Sequence, residues 1–151
     1  MSKWFIILRF FFHEQRGKVF SARLAGKHNY ELTEQEKIVD SSMIIAYHIT
    51  DDPGFKAEKV NAASILKVVE QHAVTSFGRS IHEKLKAHWE SSGKPKELEL
   101  TPIFQMINDA GEHTGMTSEG FHEIAKSHEL YKLISQRMGS ANEKSADHFE
   151  L

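Results

Sequence analysis

Apolar residues recur at every third or fourth position along residues 56–90, and this spacing constrains the fold more than any other feature of the chain. The residues that keep the spacing are Leu66, Val69, Ala73, Phe77, Ile81, Leu85 and Trp89. Because an α-helix completes a turn in about 3.6 residues, the spacing places these side chains on one face that can be buried. Gly78 lies inside the pattern, and we expect it to bend or split the helix because glycine is a poor helix former.

The first helix has a signal at each end. Thr33 followed three residues later by Glu36 is the pattern of a capping box, in which each side chain accepts a hydrogen bond from an amide that the helix start leaves free. Pro53 disfavours helical geometry in the residue before it, and residues 51–54 are typical of a helix end. These signals predict a helix that begins after Thr33 and ends after Ile49.

Two further helices are predicted in the C-terminal half. One begins at Thr101 and ends at Gly111 and Gly115, since proline is tolerated in the first helical turn and glycine often follows the last one. The other begins at Thr117 or Ser118 and continues to Met138.

Residues 121–137 also admit a DNA-binding helix-turn-helix with its turn at Ser127–Leu130. That turn needs a sharp bend, and Glu129 stands where a glycine usually permits it, so we predict one continuous helix instead. His128 falls on the apolar face of this helix. Because buried polar groups are hydrogen-bonded in proteins, the position predicts a hydrogen-bonded core histidine rather than a metal ligand.

Residues 3–24 have the pattern of a β-hairpin. Trp4–Phe12 is rich in aromatic and β-branched residues, and a second short stretch, Val19–Leu24, follows a polar turn at Gly17. Both faces of the first strand are apolar, so we expect it to be buried in the monomer core or in a self-association seam. The seam residues are Trp4, Phe5, Phe10 and Phe12. A short buried helix is the competing assignment.

Together these signals predict a mainly α fold of the α+β class, a bundle of four to five helices with an N-terminal β-hairpin. A chain of 151 residues has the usual size of one domain and can bury a proper core. We predict a single helical domain at residues 1–139 that includes the hairpin, followed by a polar C-terminal tail at residues 140–151.

Charge is distributed unevenly, although the formal net charge is only −2. Residues 1–30 contain six basic residues against Glu14 alone, a net charge of +5, so the remainder carries −7. The six candidate partner-binding residues are Lys3, Arg9, Arg16, Lys18, Arg23 and Lys27. A basic segment of this kind either docks on its own acidic body or binds an external anion.

The absence of cysteine excludes disulfides, thiolate zinc sites and cysteine nucleophiles. The longest apolar run, Trp4–Phe12, is far shorter than the roughly 20 residues of a membrane span. Arg9 in its middle argues against both a membrane span and a secretory signal. We therefore expect a cytoplasmic protein that does not cross a membrane.

The ten histidines lack the spacing of a metal site. No His-x-x-x-His pair occurs, and Glu119 with His122 forms a single Glu-x-x-His motif, where a di-iron bundle needs two. Residues 109–120 fail as a calcium loop because Thr114 and Gly120 replace the required glycine and carboxylate. We expect no metal and no cofactor. The alternative is a ligand set drawn from several helices, with candidates His72, His82 and His88.

The chain has no nucleophile elbow and no phosphate-binding loop, so the sequence names no catalytic residue and favours no enzyme class. We predict a non-enzymatic protein-interaction or regulatory protein that forms homo-oligomers. Two alternatives stay open. One is a nucleic-acid-binding protein that uses the basic, aromatic N-terminal hairpin. The other is a metal-dependent enzyme with ligands from several helices.

Overall fold

The computed structural model describes Leu24, Lys27 and residues 29–141. Within this part of the chain there are six α-helices, two short β-strands and two 3₁₀ segments. The helices are α1 (Glu34–Asp51), α2 (Ala62–Gln71), α3 (Ser76–Ser91), α4 (Leu100–His113), α5 (Ser118–Ala125) and α6 (Tyr131–Ala141). The strands are β1 (Lys59–Asn61) and β2 (Glu97–Glu99), and the 3₁₀ segments are Asn29–Glu31 and Phe55–Ala57.

The mainly helical prediction is confirmed. The described residues contain six helices rather than four to five. The long pattern at residues 56–90 forms two helices, a division that Gly78 led us to expect, and the C-terminal stretch predicted as one continuous helix also forms two. The predicted hairpin at residues 3–24 lies outside the described residues except for Leu24. No helix in the described part of the chain has the length and apolar character that crossing a membrane requires.

The capping box at the start of α1 forms as predicted. The Thr33 hydroxyl accepts a hydrogen bond from the Glu36 amide at 3.1 Å, and the Glu36 carboxylate accepts one from the Thr33 amide at 2.9 Å. The helix continues two residues beyond the predicted end, to Asp51. It is the central helix of the fold, because it packs against α2, α3, α5 and α6.

The long apolar pattern at residues 56–90 is not one helix. Its first residues form a 3₁₀ turn and then strand β1, because Lys59–Asn61 pair with β2 instead of joining α2. The second break lies at residues 72–75, just before Gly78. There the Thr75 side chain caps α3 by accepting a hydrogen bond from the Gly78 amide at 3.0 Å. The split that we expected at Gly78 therefore lies three to six residues earlier.

The two strands join two helix-loop-helix units. The first unit is α1, its loop and α2, and the second is α3, its loop and α4. Strands β1 and β2 are antiparallel, with Val60 opposite Leu98, and both of these side chains are buried. No pattern in the sequence predicts this ladder, because strands of three residues are too short to show alternation.

The core is built from all of these helices. Fully buried side chains include Ile45 from α1, Ile65 from α2, Ile81 from α3, Phe104 from α4 and Phe121 from α5. Of the seven residues that keep the helical spacing at residues 56–90, four are buried and three are half-buried. The pattern therefore identified the buried side of these helices but not every buried side chain, since Ile65 was not among the seven.

The predicted continuous helix from Thr117 or Ser118 to Met138 is wrong. α5 ends at Ala125 and α6 begins at Tyr131, so the chain turns at residues 126–130 although no glycine is present. The cause is tertiary: His128 forms an antiparallel bridge with Leu24 and turns its ring towards α1. The amides of Ser127 and His128 still bond to carbonyls of α5, and the Leu130 amide donates to the His128 ring instead of to a helical carbonyl.

The turn does not place every residue of the helix-turn-helix alternative at the surface. That alternative expects Lys132, Gln136 and Arg137 to be exposed on its second helix; Lys132 and Gln136 are exposed, but Arg137 is only 6% exposed. Its guanidinium donates to the Thr50 hydroxyl at 3.0 Å and lies 3.5 Å from the Asp51 carboxylate. Burial lowers the pKa of Arg137 to about 9. This arginine therefore ties α6 to the end of α1 and is not available to contact a phosphate.

Candidate functional site

Of the ten residues that the sequence analysis assigned to partner binding or to the self-association seam, the structure describes Lys27. Its ammonium lies 3.1 and 3.2 Å from the two carboxylate oxygens of Glu36. The other nine lie outside the described residues and stay predictions. They are Lys3, Arg9, Arg16, Lys18, Arg23, Trp4, Phe5, Phe10 and Phe12.

Leu24 and Lys27 mark where the N-terminal segment joins the helical body. Leu24 is 1% exposed and pairs with His128, while Lys27 pairs with Glu36 of α1. The hydrogen bond from the Thr33 amide holds the pKa of Glu36 below its usual value, and Lys27 adds to this effect. Lys27 therefore contacts an acidic residue of the chain's own helical body.

Asp40 and His128 form a buried pair between α1 and the turn that precedes α6. The His128 Nε2 lies 2.8 Å from the Asp40 carboxylate, and the His128 Nδ1 accepts a hydrogen bond from the Leu130 amide at 3.1 Å. The ring proton must therefore lie on Nε2, which donates to Asp40. Both ring nitrogens are occupied, so this pair holds the fold together rather than exchanging protons with a substrate. The prediction of a hydrogen-bonded core histidine is confirmed.

A small polar cleft lies beside the loop between α1 and α2. It has a volume of about 290 Å³, and its lining includes His48, Asp51 and Asp52. The Asp52 carboxylate accepts hydrogen bonds from the amides of Gly54 at 2.8 Å and Asn61 at 3.1 Å. Asp52 is therefore engaged in shaping the loop.

The two loops do not have the donor set of a calcium site. In an EF-hand, a helix-loop-helix unit holds Ca²⁺ with several carboxylates spaced along a loop of about 12 residues. The second loop instead contains Lys94 and Lys96, and its two glutamates lie at either end of β2. No three histidine, aspartate or glutamate side chains in the described part of the chain lie close enough together to hold a metal ion.

Histidines near α1 give the fold a predicted pH dependence. Burial lowers the pKa of His72 below its usual 6.5; the attraction of Asp40 opposes this shift and the repulsion of His48 adds to it. Desolvation by surrounding protein atoms also lowers the pKa of His48, although the residue is exposed. At a pH near these pKa values, the unfolded chain therefore binds more protons than the folded one. The stability that the two neutral histidines contribute is fully present above the unfolded pKa of 6.5 and decreases as the pH falls below it.

We therefore expect the free energy of unfolding, measured by urea denaturation, to decrease as the pH is lowered from about 7 to about 5. The variant His72→Gln should show a smaller decrease over the same range, since it lacks one of the shifted groups. An equal decrease in the wild type and in the variant would contradict the role of His72. Glu36 contributes only at lower pH, because its pKa lies below 4.5.

An open groove lies on the opposite end of the helical body, where three elements meet. Its volume is about 630 Å³. The start of α1, the turn between α2 and α3, and the end of α4 form its walls, and we call it the α1–α3–α4 groove. Ile38, Phe77 and Ala110 form an apolar floor of buried residues, whereas Val74 on the rim is 79% exposed.

The charged residues of the groove are mainly basic. Lys37 and Arg79 line it together with Glu34, and His113 lies at the end of α4. Glu34 and Lys37 form an exposed ion pair with 3.9 Å between charged atoms. Arg79 is exposed and forms no ion pair with any residue that the structure describes.

Sequence reasoning did not identify this groove, although one signal was available. Val74 directly precedes the N-cap Thr75, a position where an apolar residue usually packs against another apolar residue at the fourth helical position. That position is Arg79, so Val74 has no local apolar partner.

Comparison of the chain with family models, curated proteins and solved structures yields no match.

Proposed function

We propose that this chain is a non-enzymatic interaction protein of the cytoplasm, which binds a partner protein through the α1–α3–α4 groove. The observation that carries the proposal is the combination of an apolar floor with the exposed rim residue Val74. An apolar groove can receive the apolar face of an amphipathic segment of a partner protein. The floor residues belong to the core, so the groove needs no rearrangement to receive a partner.

The polar contacts elsewhere in the body support a binding role rather than catalysis. The buried pair Asp40 and His128 uses both ring nitrogens inside the fold. Asp52, in the small cleft, uses its carboxylate to order a loop. A general acid or base has to reach a substrate proton, and these groups are turned towards their own backbone and side chains.

Self-association through the first N-terminal strand is the second part of the proposal. Its support is the sequence pattern, which leaves both faces of Trp4–Phe12 apolar. The structure adds the attachment point, because Leu24 and Lys27 fix the end of this segment against α1 and the α5–α6 turn. Light scattering on the full chain measures the oligomeric state directly.

Site-specific photo-crosslinking tests the groove. A photoreactive residue in place of Val74 should crosslink a defined partner inside the cell, because this position borders the occupant. The same residue in place of Ala87 is the matched control, since Ala87 is exposed on α3 and lies outside the groove. Mass spectrometry identifies the crosslinked protein. Equal crosslinking from both positions, or none from Val74, would contradict the proposed binding role.

A further inference from the structure

The α1–α3–α4 groove combines apolar contact with positive charge, and this combination restricts the chemistry of its occupant. An apolar side chain that enters the groove would cover Val74 and contact Phe77 and Ile38 on the floor. Removing such exposed apolar surface from water stabilises the complex.

The charges on the rim add a second requirement. Glu34 and Lys37 pair with each other. Arg79 is exposed without an ion pair among the described residues, and His113 is exposed at the end of α4. The acidic residues Glu83 and Glu112 lie on the same helices but do not line the groove. Complementary charge steers association and selects partners, so this rim favours a partner with carboxylates.

The amino end of α3 adds further positive charge to the groove. Val74, Thr75 and Ser76 bring the first turn of this 16-residue helix to the groove. The amino end of a helix carries a partial positive charge, which attracts carboxylates within about one turn. The positive field of the helix end therefore adds to that of Arg79.

Like charge also argues against the chain's own N-terminal segment as the occupant of the groove. Residues 1–30 carry a net +5, whether they come from the same chain or from a second copy. Arg79 and the start of α3 would repel such a segment.

We infer that the occupant of the groove is a segment of another protein in which apolar residues are flanked by aspartate or glutamate. The inference rests on the proposed function, and it adds the charge of the partner. An amphipathic helix with acidic residues beside its apolar stripe has this chemistry, because such a helix can place its apolar stripe in a groove.

Two model peptides provide the test. Both are amphipathic, have the same length and have leucine at the same positions; one carries glutamate at every charged position and the other carries lysine. Fluorescence anisotropy with the full 151-residue protein measures the affinity of each. We expect the glutamate peptide to bind about 10-fold more tightly at low salt, with a smaller difference at about 0.15 M salt.

Variants separate the charge preference from the groove itself. Arg79→Glu should abolish or reverse the preference for the glutamate peptide. Lys86→Glu makes the same change at an exposed position of α3 that does not line the groove, so it should preserve the preference. Val74→Ser should weaken the binding of both peptides, because it removes the apolar contact and adds no charge. All three substitutions are at exposed positions, and circular dichroism verifies that each variant is folded.

The outcomes distinguish the two proposals. Equal binding of both peptides, with no effect of Arg79→Glu but a loss with Val74→Ser, would contradict the acidic character of the partner and leave the groove as a binding site. Tighter binding of the lysine peptide would also overturn the acidic partner. Binding that Val74→Ser does not change would place the peptides outside the groove and contradict the proposed function itself.

Discussion

Gly78→Ala is expected to destabilise the protein by about 3 kcal/mol, because a side chain at this position has no space. A Cβ atom on Gly78 would overlap the carbonyl oxygen of His72 in the backbone at the end of α2. A backbone atom cannot move aside as the end of a flexible side chain can. The substitution must therefore push α2 and α3 apart at the point where the first helix-loop-helix unit meets the second. Urea denaturation followed by circular dichroism measures the loss.

Gly120→Ala is the matched control. Gly120 follows the N-cap Thr117 by three residues, as Gly78 follows Thr75. In both cases the threonine hydroxyl accepts a hydrogen bond from the glycine amide at 3.0 Å. A Cβ on Gly120 would meet only the Thr117 hydroxyl, at 3.2 Å. We expect a change of less than about 1 kcal/mol there, since alanine also favours the helix. Similar losses in the two variants would mean that local capping, not the contact with His72, explains the effect at Gly78.

His128→Ala is expected to cost about 3 kcal/mol, because it leaves the Asp40 carboxylate buried without its partner. The Asp40 side chain is 10% exposed and the His128 side chain is fully buried, so water cannot replace the lost bond easily. The same substitution also removes the acceptor of the Leu130 amide. The turn between α5 and α6 should consequently lose its protection from hydrogen exchange before the rest of the fold does.

A double-mutant cycle isolates the pair. Asp40→Ala and His128→Ala should be non-additive by at least about 1.5 kcal/mol, since each removes the same hydrogen bond. Asp40→Asn keeps an oxygen that accepts from the His128 Nε2, so it should cost less than Asp40→Ala. Additive losses in the cycle would show that the two residues stabilise the fold independently and would contradict the hydrogen bond described between them.

The predictions were correct for features that depend on residues a few positions apart, such as the start and the end of α1. The capping box of Thr33 and Glu36 forms because both partners belong to the same helical turn. The end of α1 near Pro53 follows from steric restriction of the preceding residue. The spacing of apolar residues identified the buried faces, because it depends only on the geometry of one helix.

The candidate groove shows where this kind of reasoning stops. Ile38, Val74, Phe77 and Ala110 come from three separate elements, and nothing in their own neighbourhoods along the chain places them together. Phe77 fits the buried pattern of its helix, yet the same pattern does not reveal that one end of that face borders an open groove. The basic segment at residues 1–30 was the more visible feature in the sequence, and of its basic residues the structure describes Lys27.

The sequence by itself determined that the chain is mainly helical, which faces of the helices are apolar, and that His128 is a hydrogen-bonded core residue. Tertiary structure alone decided the break between α5 and α6, the pairing of β1 with β2 and the groove. The physical reason is the distance along the chain between the partners. Asp40 and His128 are 88 positions apart, and Arg137 bonds to Thr50 across 87. Such contacts arise only when the helices pack, and their combined free energy then outweighs the local preference of residues 126–130 to continue a helix.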